Sequence, residues 1–218
     1  MAISKFNYNS FNVTPVAGAA LAFDADADGF STATSTALTH IKTLTASSSS
    51  TLSFVHGASS VVLDSTYPLY VFKFINIHTS ATANFQFNGS VDAGSNYNVA
   101  KTTTVHTAGH KEDDTSTYND YDAGQDLAQG TGFQNLSYGI TTGNDESLSG
   151  YLHLFNPSNT TFVKHFMSTT NYYDSNFSQN GNMAGYFNTT SDIDAIQFKM
   201  STGNIDSGLI KLYGIKAS

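Results

Sequence analysis

The sequence predicts an all-β protein, an antiparallel β-sandwich of jelly-roll-like kind with an extended N-terminal arm, and three observations lead there. Near the C-terminus Ile196, Phe198 and Met200 alternate with Gln197, Lys199 and Ser201, the period of two that gives a strand one apolar and one wet face. Roughly ten such segments recur between clusters of Gly, Asn, Ser and Pro, and no stretch carries a convincing helical period. Bulk comes from 16 Phe and 12 Tyr while only 12% of residues are charged, so solubility rests on hydroxyl and amide groups more than on ions. At 218 residues the chain suffices for one principal domain with a sizeable core.

Residues 1–36 are small, polar and weakly periodic, with Phe6, Phe11, Leu21, Phe23 and Phe30 spaced too irregularly for one amphipathic element. They read as an arm or adaptor, docked on a neighbour or folded back on the sandwich. The sandwich is expected over 37–218. Its first strands are Leu38–Leu44, Thr51–Val55, Ser60–Leu63 and Leu69–His78. The last has few polar positions, as in a strand covered on both faces, and Pro68 heads it, where a missing N–H does least harm. Asn84–Gly89 alternates and then turns.

From Ser90 to about Glu146 hydrophobicity falls and turn formers crowd together, which predicts a long loop region over 90–146 with one short helix near Asp120 to Gln129. A loop of that length in a compact domain is a place for partner contacts. Strands return at Ser149–Asn156, Thr161–Thr170, Met183–Asn188, Ala195–Ser201 and Leu209–Ile215, the first two joined through Pro157-Ser158-Asn159 as a hairpin. The closing pair is expected at the edge of the sandwich.

Composition excludes several classes of function. Net charge is -8, and all nine basic residues are lysine, so the guanidinium best suited to bidentate phosphate contact is missing and nucleic-acid binding is not expected. Cysteine is absent, which rules out disulfides and thiolate metal sites and suits a protein made in a reducing cytoplasm. No apolar run approaches the ~20 residues needed to span a bilayer, so membrane insertion is not expected. The stretch Met1 to Tyr8 lacks the charged and apolar regions of a secretory signal, so an extracellular role would be reached by another route, such as lysis.

Four constellations could carry chemistry. Asp24, Asp26 and Asp28 followed by Gly29 match the front half of a calcium loop, but Ser35 stands where the closing glutamate belongs. The alternative is a solvated acidic turn with no cofactor. His106 and His110, beside Glu112, Asp113 and Asp114, have a spacing that suits zinc on a helix, which Gly109 and the nearby threonines disfavour. His153 and His165 fall in strands and read as hydrogen-bonded sheet histidines. Tyr118, Tyr121, Tyr172 and Tyr173 are candidates for glycan contact, since a ring can stack on a sugar while its hydroxyl stays hydrated; packing in the sandwich rim or at a subunit contact is the alternative. No nucleophile elbow and no phosphate-cradling glycine loop occurs, and the clustered acids give no opposed pair for glycoside cleavage, so the chain is not expected to be an enzyme.

Phe11–Pro15, Ile41–Ser47, the strand Tyr70–His78 with Phe85–Asn88 after it, Leu152–Pro157 and Ile210–Ile215 together resemble virion structural proteins of marine tailed bacteriophages, especially those infecting cyanobacteria. The similarity covers nearly the whole chain and consists of strand and turn patterns, which identify a family better than an activity. The resemblance implies a non-enzymatic protein of the particle exterior, present in many copies, assembled in the host bacterial cytoplasm and released by lysis. It carries over no catalytic or metal residue. The heptads or β-solenoid repeats of a fibre shaft are absent, so a head decoration protein is favoured over a tail-attached knob. A homotrimer would match three-fold positions of a shell and cover sheet edges. Its arm, through Phe6, Tyr8, Phe11 and Val13, would anchor it to major capsid or tail proteins. The rival reading is a tail-attached fibre or knob protein that binds host surface glycans.

Overall fold

The computed structural model describes residues Leu21–Phe23, Phe30–Thr32 and 38–216. The chain divides into two compact units, Met1–Thr39 and His40–Ser218. Within the first, β1 (Leu21–Phe23) pairs antiparallel with β2 (Phe30–Thr32). This strand pair lies inside the stretch expected to be an arm. The proposed anchor residues Phe6, Tyr8, Phe11 and Val13, and the candidate calcium ligands Asp24, Asp26 and Asp28, lie outside the described residues.

The remaining strands are β3 (Leu38–Thr45), β4 (Thr51–Val55), β5 (Leu69–Thr79), β6 (Phe85–Ser90), β7 (Lys101–Lys111), β8 (Thr117–Tyr121), β9 (Gln134–Asn135), β10 (Leu148–Phe155), β11 (Lys164–Asp174), β12 (Phe177–Phe187), β13 (Ala195–Met200) and β14 (Ile205–Ile215). They form an antiparallel β-sandwich. The wide sheet has eight strands in the order β3-β14-β5-β10-β11-β12-β7-β8, and the narrow one has four in the order β4-β13-β6-β9. Successive strands repeatedly change sheet, as in a jelly roll. Both closing strands are interior: β13 lies between β4 and β6, and β14 between β3 and β5. The alternation of Ile196, Phe198 and Met200 gave the faces of β13 correctly, because one-sided burial sets the period of two, but it carries no information about lateral neighbours.

The core is built from phenylalanine. Phe198 of β13 has Phe54, Phe72, Phe74, Phe85 and Phe87 around it, with ring centroids 5.3–6.4 Å away. Phe87 continues the cluster to Phe166 at 5.2 Å and Phe187 at 6.1 Å. Most of these contacts are edge-to-face, the geometry that the ring quadrupole favours.

In β5 the alternation slips at Asn76, whose φ is +50°. Register with β10 shifts at the same place, and the Asn76 N–H is taken by Ser149 Oγ at 3.1 Å. This bulge lets Phe72, Phe74, Ile77 and Thr79 all point inward. Opposite it Gly208 adopts φ +117°, and a Cβ there would stand 2.5 Å from Asn76 O, so only glycine fits.

Three expectations are corrected. The 90–146 region is not one long loop: it contains β7, β8 and β9, and β7 is as long as any strand in the sandwich. Its inward positions are Lys101, Thr103 and Val105, so hydrophobicity is low although β-branched residues abound. Lys101 Nζ donates to Val99 O at 3.1 Å and Gly132 O at 2.6 Å, and Thr103 Oγ1 donates to Gln134 Oε1 at 2.7 Å. The expected helix near Asp120 to Gln129 is the end of β8 followed by turns. Ser60–Leu63 is not a strand, because Ser59 and Ser60 have φ of +49° and +66°, although Val61 and Leu63 are buried. Conversely, β11 and β12 form a tight hairpin through Ser175 and Asn176, both with φ > 0, the type I′ pattern in a pair of residues less telling than Asn-Gly.

Candidate functional site

One face of the wide sheet packs on the narrow sheet, and its opposite face carries an ordered grid of side chains. On β10 the outward residues are Tyr151, His153 and Phe155. Tyr151 stacks on His153 with centroids 4.8 Å apart and planes 26° from parallel, and His153 meets Phe155 edge-on at 6.3 Å. Register then sets Tyr151 beside Thr169, Asn182 and His106, and His153 beside Met167, Ala184 and Thr104. A further row holds His165, Tyr186 and Thr102, with His165 edge-on to Tyr186 at 6.2 Å.

Large residues on β10 and small ones on β12 and β7 leave a trough between them. Its middle is a depression of about 600 Å³ floored by Ala184, Gly185 and Thr104. A second of about 500 Å³ adjoins it toward Tyr151 and Tyr121, and a third of about 470 Å³ toward Phe162. Met167, 53% exposed, stands between the first two. No residue lining the three depressions is Asp, Glu, Lys or Arg. Burial holds the His153 imidazole below its usual pKa, so it is neutral at pH 7.

The far end of the trough is pre-shaped. Asn159 Oδ1 accepts from the N–H groups of Thr161 and Phe162, both at 2.8 Å, and Lys164 Nζ donates to Phe162 O and Thr189 O at 3.2 Å. Phe162 is 68% exposed on a loop fixed by these bonds. Lys164 and Lys101 flank Phe187 on neighbouring strands. Both are fully buried, and burial lowers both pKa values, that of Lys101 to about 8.

The four candidate tyrosines do not form one surface. Tyr172 is buried at 1% exposure, which overturns its proposed sugar contact. Its hydroxyl accepts from Tyr138 N at 3.1 Å and donates to Gln179 Oε1 at 3.3 Å, and burial raises its pKa. Tyr118, half-buried, donates to the same Gln179 oxygen at 2.5 Å, while Gln179 Nε2 donates to Asp174 Oδ2 at 2.9 Å. Tyr118 and Tyr172 are thus anchors of an internal polar network. Tyr121 is exposed and donates to Asp126; Tyr173 bonds Asn176 at 3.4 Å near the β11–β12 turn. By register they lie about 13 Å apart along the strands and about 14 Å across them.

The candidate metal histidines also separate. His106 and His110 both lie on β7, where a spacing of four spans about 13 Å instead of one helical turn. His110 instead meets Asp114 at 3.0 Å in an exposed pair. Among the described residues no group of three His, Cys, Asp or Glu is placed to hold a metal ion. His153 and His165 contact aromatic rings. The sequence signal for the trough is the parity of β10, whose outward positions hold Tyr151, His153 and Phe155 in place of the usual Ser and Thr.

Compared with family models, curated proteins and solved structures, the chain matches none.

Proposed function

We propose that this chain is a non-enzymatic structural protein of a bacteriophage particle, an exterior capsid decoration or cement protein that assembles as a homotrimer in contact with major capsid or tail proteins. The observation that supports this reading is the sandwich, cross-linked by a continuous aromatic core and by buried polar ties. Asn88 Nδ2, for example, reaches Tyr97 O at 2.6 Å, Thr131 O at 3.0 Å and Gly132 O at 3.2 Å. Such ties hold the long connections against the body, so local opening is costly, as a static shell component requires. The sheets also retain terminal strands, β8 in the wide sheet and β4 and β9 in the narrow one, that an oligomer would cover.

The test is cryo-electron microscopy of the particle that carries the chain. Density at regular three-fold sites on the head is the expected result; density confined to the tail would turn the assignment to the alternative, and absence from the particle would overturn it. That alternative, a tail-attached fibre or knob protein binding host surface glycans, is favoured by the exposed aromatic side chains of the outer sheet face.

A further inference from the structure

We infer that the trough on the outer face of the wide sheet is a binding site for an uncharged polysaccharide. The inference stands on the trough alone and does not depend on a head or tail location.

Ligand class follows from the lining. The chain carries a net charge of -8, yet the three joined depressions contain no carboxylate, ammonium or guanidinium. A nucleic acid or a sulfated or uronate polymer would have no cation to meet, and a basic polymer no anion. A neutral chain of sugars makes the opposite demand: apolar ring faces to lie on, with hydroxyl, amide or imidazole groups beside them for its hydroxyls. Tyr151, His153 and Phe155 supply rings at every second residue of β10, and Tyr186 of β12 stands beside His165 of the intervening β11, one row on from Met167 and Ala184. Thr104, Thr169 and Asn182 place uncharged polar groups along the same floor, and the His106 imidazole stands beside them.

Shape agrees with a linear ligand. Between the Thr169 and Val163 levels the trough follows β11 for about 20 Å, the length of several sugar residues. Phe162 closes its end on a loop already fixed by Asn159 and Lys164, so little ordering is needed when a ligand lands there. Tyr121, held by Asp126, borders the other end. The lining offers no carboxylate pair for glycoside cleavage, so the site binds and releases its ligand unchanged.

The experiment is affinity electrophoresis and calorimetry of the full chain with dextran, a mixed-linkage β-glucan and a galactomannan, using alginate and dextran sulfate as charged controls. At least one neutral polymer is expected to bind. Y151A and Y186A should each weaken it at least tenfold, Y151F should retain it because the ring remains, and Y173A, outside the trough, should leave it unchanged. Unfolding midpoints of the variants, measured in parallel, separate loss of a contact from loss of the fold. Binding only to the charged polymers, no binding to any, or binding indifferent to Y151A and Y186A would overturn the proposal. So would concentration-dependent self-association abolished by M167K, which would make this face a contact between copies of the chain. None of these outcomes bears on where the chain sits in a particle, which cryo-electron microscopy reads separately.

Discussion

The two faces of β11 differ as much as any two regions of the molecule. Inward it presents Phe166, Ser168, Thr170 and Tyr172, all buried. Outward, at alternate positions of the same strand, stand His165, Met167, Thr169, Asn171 and Tyr173, exposed or half-exposed. Aromatic side chains occur on both sides, but their settings are opposite. Inside, rings meet rings from the narrow sheet, and the buried hydroxyls of β11 have partners: Thr170 Oγ1 donates to Leu136 O at 2.6 Å and Ser168 Oγ to Tyr151 O at 2.7 Å. Outside, rings border small residues and leave open volume. Aromatic content alone therefore says nothing of function; what separates core from candidate site is whether a second layer completes the packing.

Breaking the inner face should have the largest effect. Phe198→Ala removes the ring at the centre of the phenylalanine cluster and is expected to destabilise the protein by about 3–5 kcal/mol in urea unfolding. A loss under about 1 kcal/mol would mean that the sheets repack without it.

A smaller effect concerns the buried lysines. The folded state holds the Lys101 ammonium at a pKa of about 8 against the usual 10.5, so between these values it binds fewer protons than the unfolded chain. Stability should rise by about 2 kcal/mol from pH 7 to pH 10. Above pH 10 the sign reverses, since burial pushes the Tyr70 hydroxyl up to about 12 and ionisation of this group in the unfolded chain then favours unfolding. Lys101→Met should flatten the rising limb while leaving the alkaline fall. A wild-type profile without that limb would show that the ammonium stays fully solvated by Val99 O and Gly132 O.

The smallest expected effect sharpens the contrast. Met167→Ala, on the same strand as Phe166 but facing outward, should change stability by less than about 0.5 kcal/mol. A cost comparable with core truncation would mean that the outer face is packed.

Much of the sandwich was readable because it rests on one-sided burial. Ile196, Phe198 and Met200 had to alternate with polar neighbours once β13 was covered on one face, and Thr51–Val55 has the bounds expected from its pattern. β7 was hidden because a lysine and a threonine occupy its inward positions, satisfied by partners such as Gly132 and Gln134 that lie far along the chain. The bulge at Asn76 and the turn at Ser175-Asn176 were hidden because neither residue is glycine.

The candidate site was less legible still. Tyr118, Tyr121, Tyr172 and Tyr173 share polar surroundings in the sequence, but neighbouring residues on one strand face opposite ways: Tyr172 turns into the interior while Tyr173 turns out.

The sequence by itself therefore determined the strand class, most strand positions and the apolar face of strands such as β13, because one-sided burial imposes a short local period on the chain. Only the tertiary structure decided which strands are neighbours, which polar groups are buried, and that Tyr151, Met167 and Tyr186 line one trough. Those features depend on the exact register in which β10, β11, β12 and β7 pair, and no local period records a register.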